Sequence, residues 1–321
     1  VFPAPSRAVD PALPIRFSYS SQCPAVDDQR LAAFAYGTEP VAEGAVHVPM
    51  ALPHGGTRYE LWHGSGPVTR HSAHGAHIAE DGRVLVASWQ FDEAAYGGIE
   101  AAAEYAYRGI GALLADSGYP HPVKVWHYFG AINQGAGDAE RYRRFCVGRT
   151  RGIPAQLPLP AATAIGVQAE PSTLTVILIA AKEPGQRLEN PRQVPAYEYP
   201  RDYGPASPSF ARAMAMPWGQ LFVSGTAAII GHESCHPENA GAQLRELALN
   251  LDALVARAES HSGQRLMPTV LKIFLRRAED YATIDALSAQ LFPADCSRII
   301  VLADICRAEL QVEVEAVYQA V

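Results

Sequence analysis

The chain has 321 residues, 48% of them hydrophobic and 18% charged, with a formal net charge of −7. That length is about twice a common domain, and the apolar content supports a sizeable core and excludes a disordered chain. The acidic balance argues against a nucleic-acid partner or a membrane surface, and no run of about 18 apolar residues predicts a bilayer span.

In chain order, the first clear strand is 84–89. A helix follows with Ala103, Ala106, Ile110, Leu113 and Leu114 on one face and Gly118 at its end. Residues 123–128 read as a strand, 139–145 as a helix, and 162–167 and 174–179 as two more strands. Residues 182–195 are rich in Pro, Gly, Gln and Asn, which is linker chemistry. Residues 221–227 are a strand running into a glycine turn. A helix is expected from Pro237, with Leu244, Leu247, Leu251 and Leu254 along one stripe and Gly263 as its stop. Residues 270–275, 281–291, 298–302 and 310–317 read as strand, helix, strand and strand. Both halves thus follow the order β-α-β-α-β-β, a structural duplication with its boundary near residue 185. The expected class is α/β, in α+β layers, with helices on one face of mixed sheets. The expected division is 1–185, with an N-terminal extension, and 186–321. Ligand pockets form readily where two such units meet.

His232-Glu233-Ser234-Cys235-His236 is a literal H-E-x-x-H. In a zinc hydrolase that motif needs a helix, which puts both histidines on one face. Here Gly231 precedes it and Pro237 follows it, so it reads as a polar turn and no metal is expected. Walker, nucleophile-elbow and dinucleotide glycine motifs are missing, which disfavours nucleotide binding and serine hydrolysis. The five cysteines, Cys23, Cys146, Cys235, Cys296 and Cys306, are odd in number and scattered. That spacing fits a reducing cytoplasm better than a disulfide framework. The opening residues, Val1 to Pro5, show neither a basic nor an apolar signal region, so no secretion signal is expected.

On the last strand, period two places Leu310, Val312, Val314 and Ala316 on one face and Gln311, Glu313 and Glu315 on the other. Matching Leu310 to Leu174 of the first copy sets Glu313 opposite Ile177. An acid opposite a core residue is what a duplication with one retained site would show. A Glu held against apolar walls has its pKa raised and serves as a general acid. Arginine forks are the natural carboxylate clamps, and Arg149, Arg212, Arg276 and Arg298 are candidates. Cys306 lies near the last strand beside Arg307, with no His or Lys nearby to activate it.

The C-terminal copy resembles the RidA (YjgF) superfamily in 223–226, 271–275 and 312–316, and in Ala242-Gln243-Leu244-Arg245. By that likeness Arg298 stands where the superfamily binds a ligand carboxylate. From about residue 125 onward the chain more specifically resembles the chorismatases. The carrying pieces are Ile132-Asn133, Glu140-Arg141-Tyr142-Arg143-Arg144-Phe145 with Gly148-Arg149, and Asn190-Pro191-Arg192-Gln193 with Ala196-Tyr197-Glu198-Tyr199-Pro200. They continue in Tyr203-Gly204-Pro205, Pro208-Ser209-Phe210-Ala211-Arg212, Ser224-Gly225-Thr226-Ala227, Gly231-His232-Glu233-Ser234 and Ala303-Asp304-Ile305-Cys306-Arg307. The first 80 or so residues match weakly.

The resemblance implies two RidA-like units side by side and cleavage of chorismate to pyruvate and a ring product, without metal or organic cofactor. It implies Glu313 as the acid that protonates the enolpyruvyl methylene. Arg149 and Arg212 are implied to hold carboxylates, Tyr199 to hydrogen-bond substrate, and Gly225, Thr226 and Ala227 to form a backbone wall. A Cys at position 306 is a feature of the members that form 3-hydroxybenzoate, alone or with 4-hydroxybenzoate. Ala227 leaves the subtype open. The bifunctional type, feeding pigment and ubiquinone routes, is the favoured reading. The alternatives are hydrolysis to a dihydroxycyclohexadiene carboxylate, a RidA-like enamine or imine deaminase, and a non-enzymatic small-ligand binder. A chain carrying both copies can make its seam internally, so a monomer is expected.

Overall fold

A computed structural model describes residues 13–39, 41 and 44–321; Val1 to Pro5, read above for a signal, lie outside them. Strands β1 (Ile15–Ser20), β2 (Arg30–Tyr36), β3 (Val46–Val48) and β4 (Arg58–Gly64) form one sheet, in the order β1-β4-β2-β3. Next come β5 (Thr69–Ala73), β6 (Ala76–Glu80), β7 (Val84–Asp92), α1 (Ile99–Asp116), β8 (His121–Gly130), α2 (Arg141–Gly152), β9 (Ala161–Val167) and β10 (Thr173–Ala181). Their sheet runs β5-β6-β7-β10-β8-β9. The last part is β11 (Gln186–Leu188), β12 (Ala213–Ala215), β13 (Gln220–Ala227), the small hairpin β14 (Ile229–Ile230) and β15 (Glu233–Ser234), and α3 (Ala240–Ser262). It ends with β16 (Leu266–Leu275), α4 (Tyr281–Leu291), β17 (Ser297–Leu302) and β18 (Val312–Ala320), in a sheet ordered β11-β12-β13-β18-β16-β17.

The two six-stranded sheets have the same strand order, and each is mixed, with one parallel pair at the β8–β9 or β16–β17 edge. The expected class of mixed sheets with helices on one face is therefore observed. Each helix pair covers the outer face of its own sheet. Leu244, Leu247, Leu251 and Leu254 of α3 bury their stripe against Val223, Leu271, Val312 and Val314. Burial of one such side chain contributes about 1.5–3 kcal/mol. The α3 start differs slightly from expectation. Glu238 adopts a positive φ, and the Asn239 side chain caps the amide of Ala242, so the helix begins three residues after Pro237.

The inner faces of all three sheets meet in one core containing Phe34, Trp62, Trp126, Tyr128, Ile177, Phe222, Phe274 and Val317. The four-stranded sheet was not anticipated. Its strands carry a buried charge, Glu60, that breaks the apolar pattern, and its partner lies far away in sequence. Glu60 accepts hydrogen bonds from Tyr36 Oη (2.8 Å) and Trp62 Nε1 (3.0 Å) and pairs with Lys272 Nζ at 2.6 Å. Lys272 also meets Glu315 Oε1 (2.9 Å), and Lys124 meets Glu315 Oε2 (3.0 Å) and donates to the Val223 carbonyl (2.8 Å). A four-charge cluster thus joins the three sheets. Stripping one partner from such a buried pair costs about 3–5 kcal/mol.

A shared landmark gives a different match between copies. Each central ladder has a bulge beside a proline, at the pair Ala180–Pro122 in one copy and Tyr318–Pro268 in the other, and these pairs set the match. In that register Glu315 falls opposite Ile177 and Glu313 opposite Thr175, a shift of two residues from the Leu310–Leu174 match. The asymmetry survives with different partners. Thr175 lines a smaller cavity of about 170 Å³ beside His47 and Gln90.

Candidate active site

The two six-stranded sheets join at β9. Bridges link Ala161 to Ala211 and Gly166 to Asp304. Opposite Glu315, β13 carries a β-bulge: Val223 pairs with Ala316 and Thr226 with Val314, so Ser224 and Gly225 both face one residue. The bulge turns these two residues across the seam. Ser224 Oγ accepts from the amide of Ala162 (2.8 Å) and donates to the Ala211 carbonyl (2.5 Å). The Gly225 N–H donates to Thr163 Oγ1 (3.0 Å), whose own hydroxyl donates to Glu315 Oε2 (2.6 Å).

Above this seam lies a cavity of about 380 Å³. Its walls include Ala162 and Ala164 of β9, Gly225 and Ala227 of β13, Glu313 of β18, and Tyr142, Arg143 and Arg149 of α2. Tyr199, Tyr203, Phe210 and Arg212 come from the segment between β11 and β12, and Cys306, Arg307 and Glu309 from the loop before β18. Seven of the nine candidate residues therefore share one cavity: Glu313, Cys306, Arg149, Arg212, Tyr199, Gly225 and Ala227. Thr226 is buried and turned away, its hydroxyl donating to the Ser224 carbonyl at 2.9 Å. Strand alternation accounts for this, since neighbours on β13 point to opposite faces.

Arg298 is a correction: it does not line the cavity. It lies near the start of β17, the edge strand, with β16 between it and β18. Arg276 is not a ligand clamp either. It braces the 303–310 loop, pairing with Asp304 Oδ1 (2.9 Å) and donating to the carbonyls of Ile305 (2.9 Å), Arg307 (3.1 Å) and Leu310 (2.8 Å), and to Asn133 Oδ1 (3.1 Å).

Glu313 is 5% exposed, and its carboxyl has no hydrogen-bond partner among the described residues. Burial, and then the charge of Glu315, push its pKa up to about 8, against the opposing pull of Arg212 and Lys124. At neutral pH it is therefore a carboxylic acid facing a cavity. Glu315, two residues on, is the opposite case. Burial acts to raise its pKa, but Lys124, Lys272 and the Thr163 hydroxyl hold it well below the usual carboxylate range. Burial, then Glu313, push the Cys306 thiol up to about 12, so it is an uncharged apolar wall and not a nucleophile.

Two buried arginines face the acid. Arg149 lies over the Tyr107 ring at 5.0 Å, with Nε and Nη2 unpaired. The preceding residue, Gly148, lets α2 approach α1 closely, since a Cβ there would overlap the Glu100 carbonyl. Under Arg149, Tyr107 Oη and His127 Nε2 are 2.7 Å apart, and His127 Nδ1 lies 3.0 Å from the Thr163 carbonyl. The carbonyl fixes the proton on Nδ1, so Tyr107 donates to Nε2. Burial, then Arg149, lower the His127 pKa and keep the ring neutral. Arg212 donates to Tyr199 Oη (2.7 Å) and the Val194 carbonyl (3.1 Å), and its Nε is unpaired. Unpaired buried guanidinium N–H groups are donors waiting for an anion.

The H-E-x-x-H segment is not helical; it spans the β15 hairpin and a turn, with His236 at positive φ. It does not line the cavity but braces two residues that do, Arg307 and Tyr203. The His232 carbonyl and Ser234 Oγ accept from Arg307 Nη1 (2.9 and 3.0 Å), and His232 Nδ1 lies 3.1 Å from Tyr203 Oη. Arg307 stacks on the Tyr203 ring at 4.1 Å. Among the described residues no cluster of His, Cys, Asp and Glu has the arrangement of a metal site, and no helix is long and apolar enough to cross a membrane.

A family profile described as the chorismatase FkbO/Hyg5-like N-terminal domain matches residues 60–180. A chorismatase of Streptomyces rapamycinicus is 36% identical over 278 residues, covering 80% of this chain and 81% of that one. A 3-hydroxybenzoate synthase of Streptomyces hygroscopicus is 36% identical over 232 residues, covering 66% of this chain and 67% of that one. The crystal structure of a chorismatase superposes with a TM-score of 0.83 at 28% identity, covering 94% of this chain and 98% of that one.

Proposed function

Since the chain belongs to the chorismatase family, we propose that it converts chorismate to pyruvate and a hydroxybenzoate, with Glu313 as the acid. The observation that carries the reading is a protonated, unpartnered carboxyl on the wall of a cavity that is also lined by two buried arginines, each with an unpaired N–H donor.

Chorismate is a dianion. Arg149 and Arg212 hold its carboxylates, and Tyr199, whose oxygen accepts from Arg212, keeps its own proton to donate to substrate. Glu313 gives its proton to the enolpyruvyl methylene carbon. The double-bond electrons form the new C–H bond, and the ether oxygen stabilises the resulting oxocarbenium ion. The Glu313 carboxylate created at that moment is next to the cation, which compensates its burial. The substrate's ring hydroxyl then attacks the cation and loses its proton. The cyclic ketal so formed collapses: its bond to one ring oxygen breaks and leaves that oxygen on the ring, while the ring-carbon bond to the other oxygen breaks and that oxygen leaves as the pyruvate carbonyl. Loss of a ring proton gives the aromatic ring, and of the two protons released one goes to the phenol oxygen and one returns to Glu313. Pyruvate and hydroxybenzoate together hold all the atoms of chorismate, so no water, metal or redox cofactor enters the balance.

Cys306 favours this internal attack. Its uncharged thiol lines the cavity where a water nucleophile would need a polar partner. The product we assign is 3-hydroxybenzoate, with 4-hydroxybenzoate as a second product, through a carbon–oxygen lyase reaction that supplies pigment and ubiquinone routes. The units 1–185 and 186–321 supply the two sides of the cavity within one chain, so we assign a monomer. A sedimentation mass near 34.5 kDa is expected, and three times that mass contradicts it. All five cysteines are free, as a cytoplasmic enzyme requires.

The test is incubation with chorismate, following pyruvate release and identifying the aromatic product by chromatography. Stoichiometric pyruvate and hydroxybenzoate are expected. A dihydroxycyclohexadiene carboxylate would replace internal attack by hydrolysis, and no pyruvate would end the reading.

A further inference from the structure

Glu315 lies one pleat from Glu313 on the same face of β18. Both of its oxygens are occupied. Oε1 takes Lys272 Nζ (2.9 Å), Oε2 takes Lys124 Nζ (3.0 Å) and the Thr163 hydroxyl (2.6 Å), and Trp126 Nε1 reaches both (2.9 and 2.7 Å). Every partner is a donor, so Glu315 is a fixed anion. One of its two lysines also bonds the Val223 carbonyl, and the other bonds Glu60 of the four-stranded sheet. The cluster is neutral in sum, and of its two anions Glu315 is the one on the acid's own strand face.

On the reading that Glu313 is the proton donor, we propose that Glu315 is a positioning residue that keeps the proton on Glu313 and sets the cavity wall against it. The first part is electrostatic. A second negative charge on the same strand face opposes ionisation of Glu313. The charged and titratable groups around Glu313 and its cavity are Tyr199, Asp202, Tyr203 and Arg212 of the segment before β12, Glu140, Tyr142, Arg143 and Arg149 at α2, Cys306, Arg307 and Glu309 of the loop, Lys124 of β8 and Glu315 itself. Arg212 and Lys124 favour ionisation; Glu315 opposes them. The second part is geometric. Glu315 orders Thr163 Oγ1, which accepts the Gly225 N–H and so fixes the bulge on which the Glu313 carboxyl rests. Through Glu60 and Lys272 the four-stranded sheet anchors this anion, a role in the chemistry for residues outside the repeat.

The test is the pH profile of pyruvate release by two variants, each checked for folding by circular dichroism. Glu315→Gln should move the alkaline limb of kcat/KM down by about one to two pH units, the scale of one unit charge at that separation, with rate recovered as the pH is lowered. Lys124→Met should move the same limb up. Loosened packing predicts lower rates at every pH and no opposed shifts. Unmoved limbs, or limbs moving together, overturn the inference. If one variant does not fold, the other's shift decides. If neither folds, a carboxyl-carbon NMR titration of the wild-type protein decides: Glu315 must remain ionised while Glu313 titrates, and uptake of a proton by Glu315 in that range overturns it. Glu313 as the donor is judged separately, since full activity in Glu313→Gln ends that reading whatever the limbs do.

Discussion

Gly225 and Glu313 occupy adjoining space: a Cβ added to Gly225 would overlap the Oε1 of Glu313. The acid rests on a strand that has no side chain there, and the bulge fixes that strand by bonding it to Thr163. Gly225→Ala should therefore displace the carboxyl while leaving the arginines in place. The expected result is a fall in kcat of about 10²-fold, the scale of a misplaced catalytic group, with a small change in KM. Steady-state kinetics check it.

Stability should carry the signature of the raised acid. Glu313 titrates near its ordinary value in the unfolded chain and at about 8 when folded. Between those values the folded state holds the extra proton, so its stability falls as pH rises and levels off above about 8. Glu313→Gln lacks this loss. It should match the wild type below about pH 4 and exceed it by a few kcal/mol at pH 8. Denaturant unfolding across pH measures the gap, and a constant gap would refute the assignment.

Arg149 is held by stacking, beside a close helix contact at Gly148, with two of its nitrogens unpaired. Arg149→Lys keeps the charge but loses the fork. Substrate affinity should drop by about 10²-fold, consistent with loss of a charge-assisted pair. Calorimetric titration with a non-reactive dicarboxylate analogue checks it. An unchanged affinity would remove Arg149 from the site.

Arg276 makes its bonds to the loop that carries Cys306 and Arg307. Arg276→Met should lower stability by about 3 kcal/mol through lost charge-assisted bonds, and raise KM without touching the acid. Unfolding curves together with kinetics separate it from a direct ligand, which would affect KM alone.

Cys306→Val changes the shape and polarity of the wall without adding a charge. The ratio of hydroxybenzoate products should shift at nearly constant total turnover, as read by chromatography. An unaltered product pattern would exclude Cys306 from product choice.

Much of this arrangement was legible in the chain. Period two on 310–316 put Glu313 and Glu315 on one face, and the strand–helix order revealed the repeat. Legibility failed where partners are distant in sequence. The bulge at Ser224 and Gly225 leaves no spacing signal, and it appears only in the ladder with β18. Arg276 and Arg298 read alike as arginines beside strands, yet one braces a loop and the other lies on a far edge strand. The charge cluster did leave a trace. The chain has only three lysines, and Lys124 and Lys272 stand in the middle of apolar strands, where a lysine needs a buried acid. Asking for those acids would have led to Glu315 and to Glu60, and so to the four-stranded sheet.

The most direct test of the account is a comparison of pyruvate release from chorismate by the wild-type protein and Glu313→Gln at pH 7. The variant keeps the shape of the side chain and both arginines but has no acidic proton. A loss of at least about 10²-fold in kcat, with substrate affinity retained, is the predicted result. Release at the wild-type rate would contradict it.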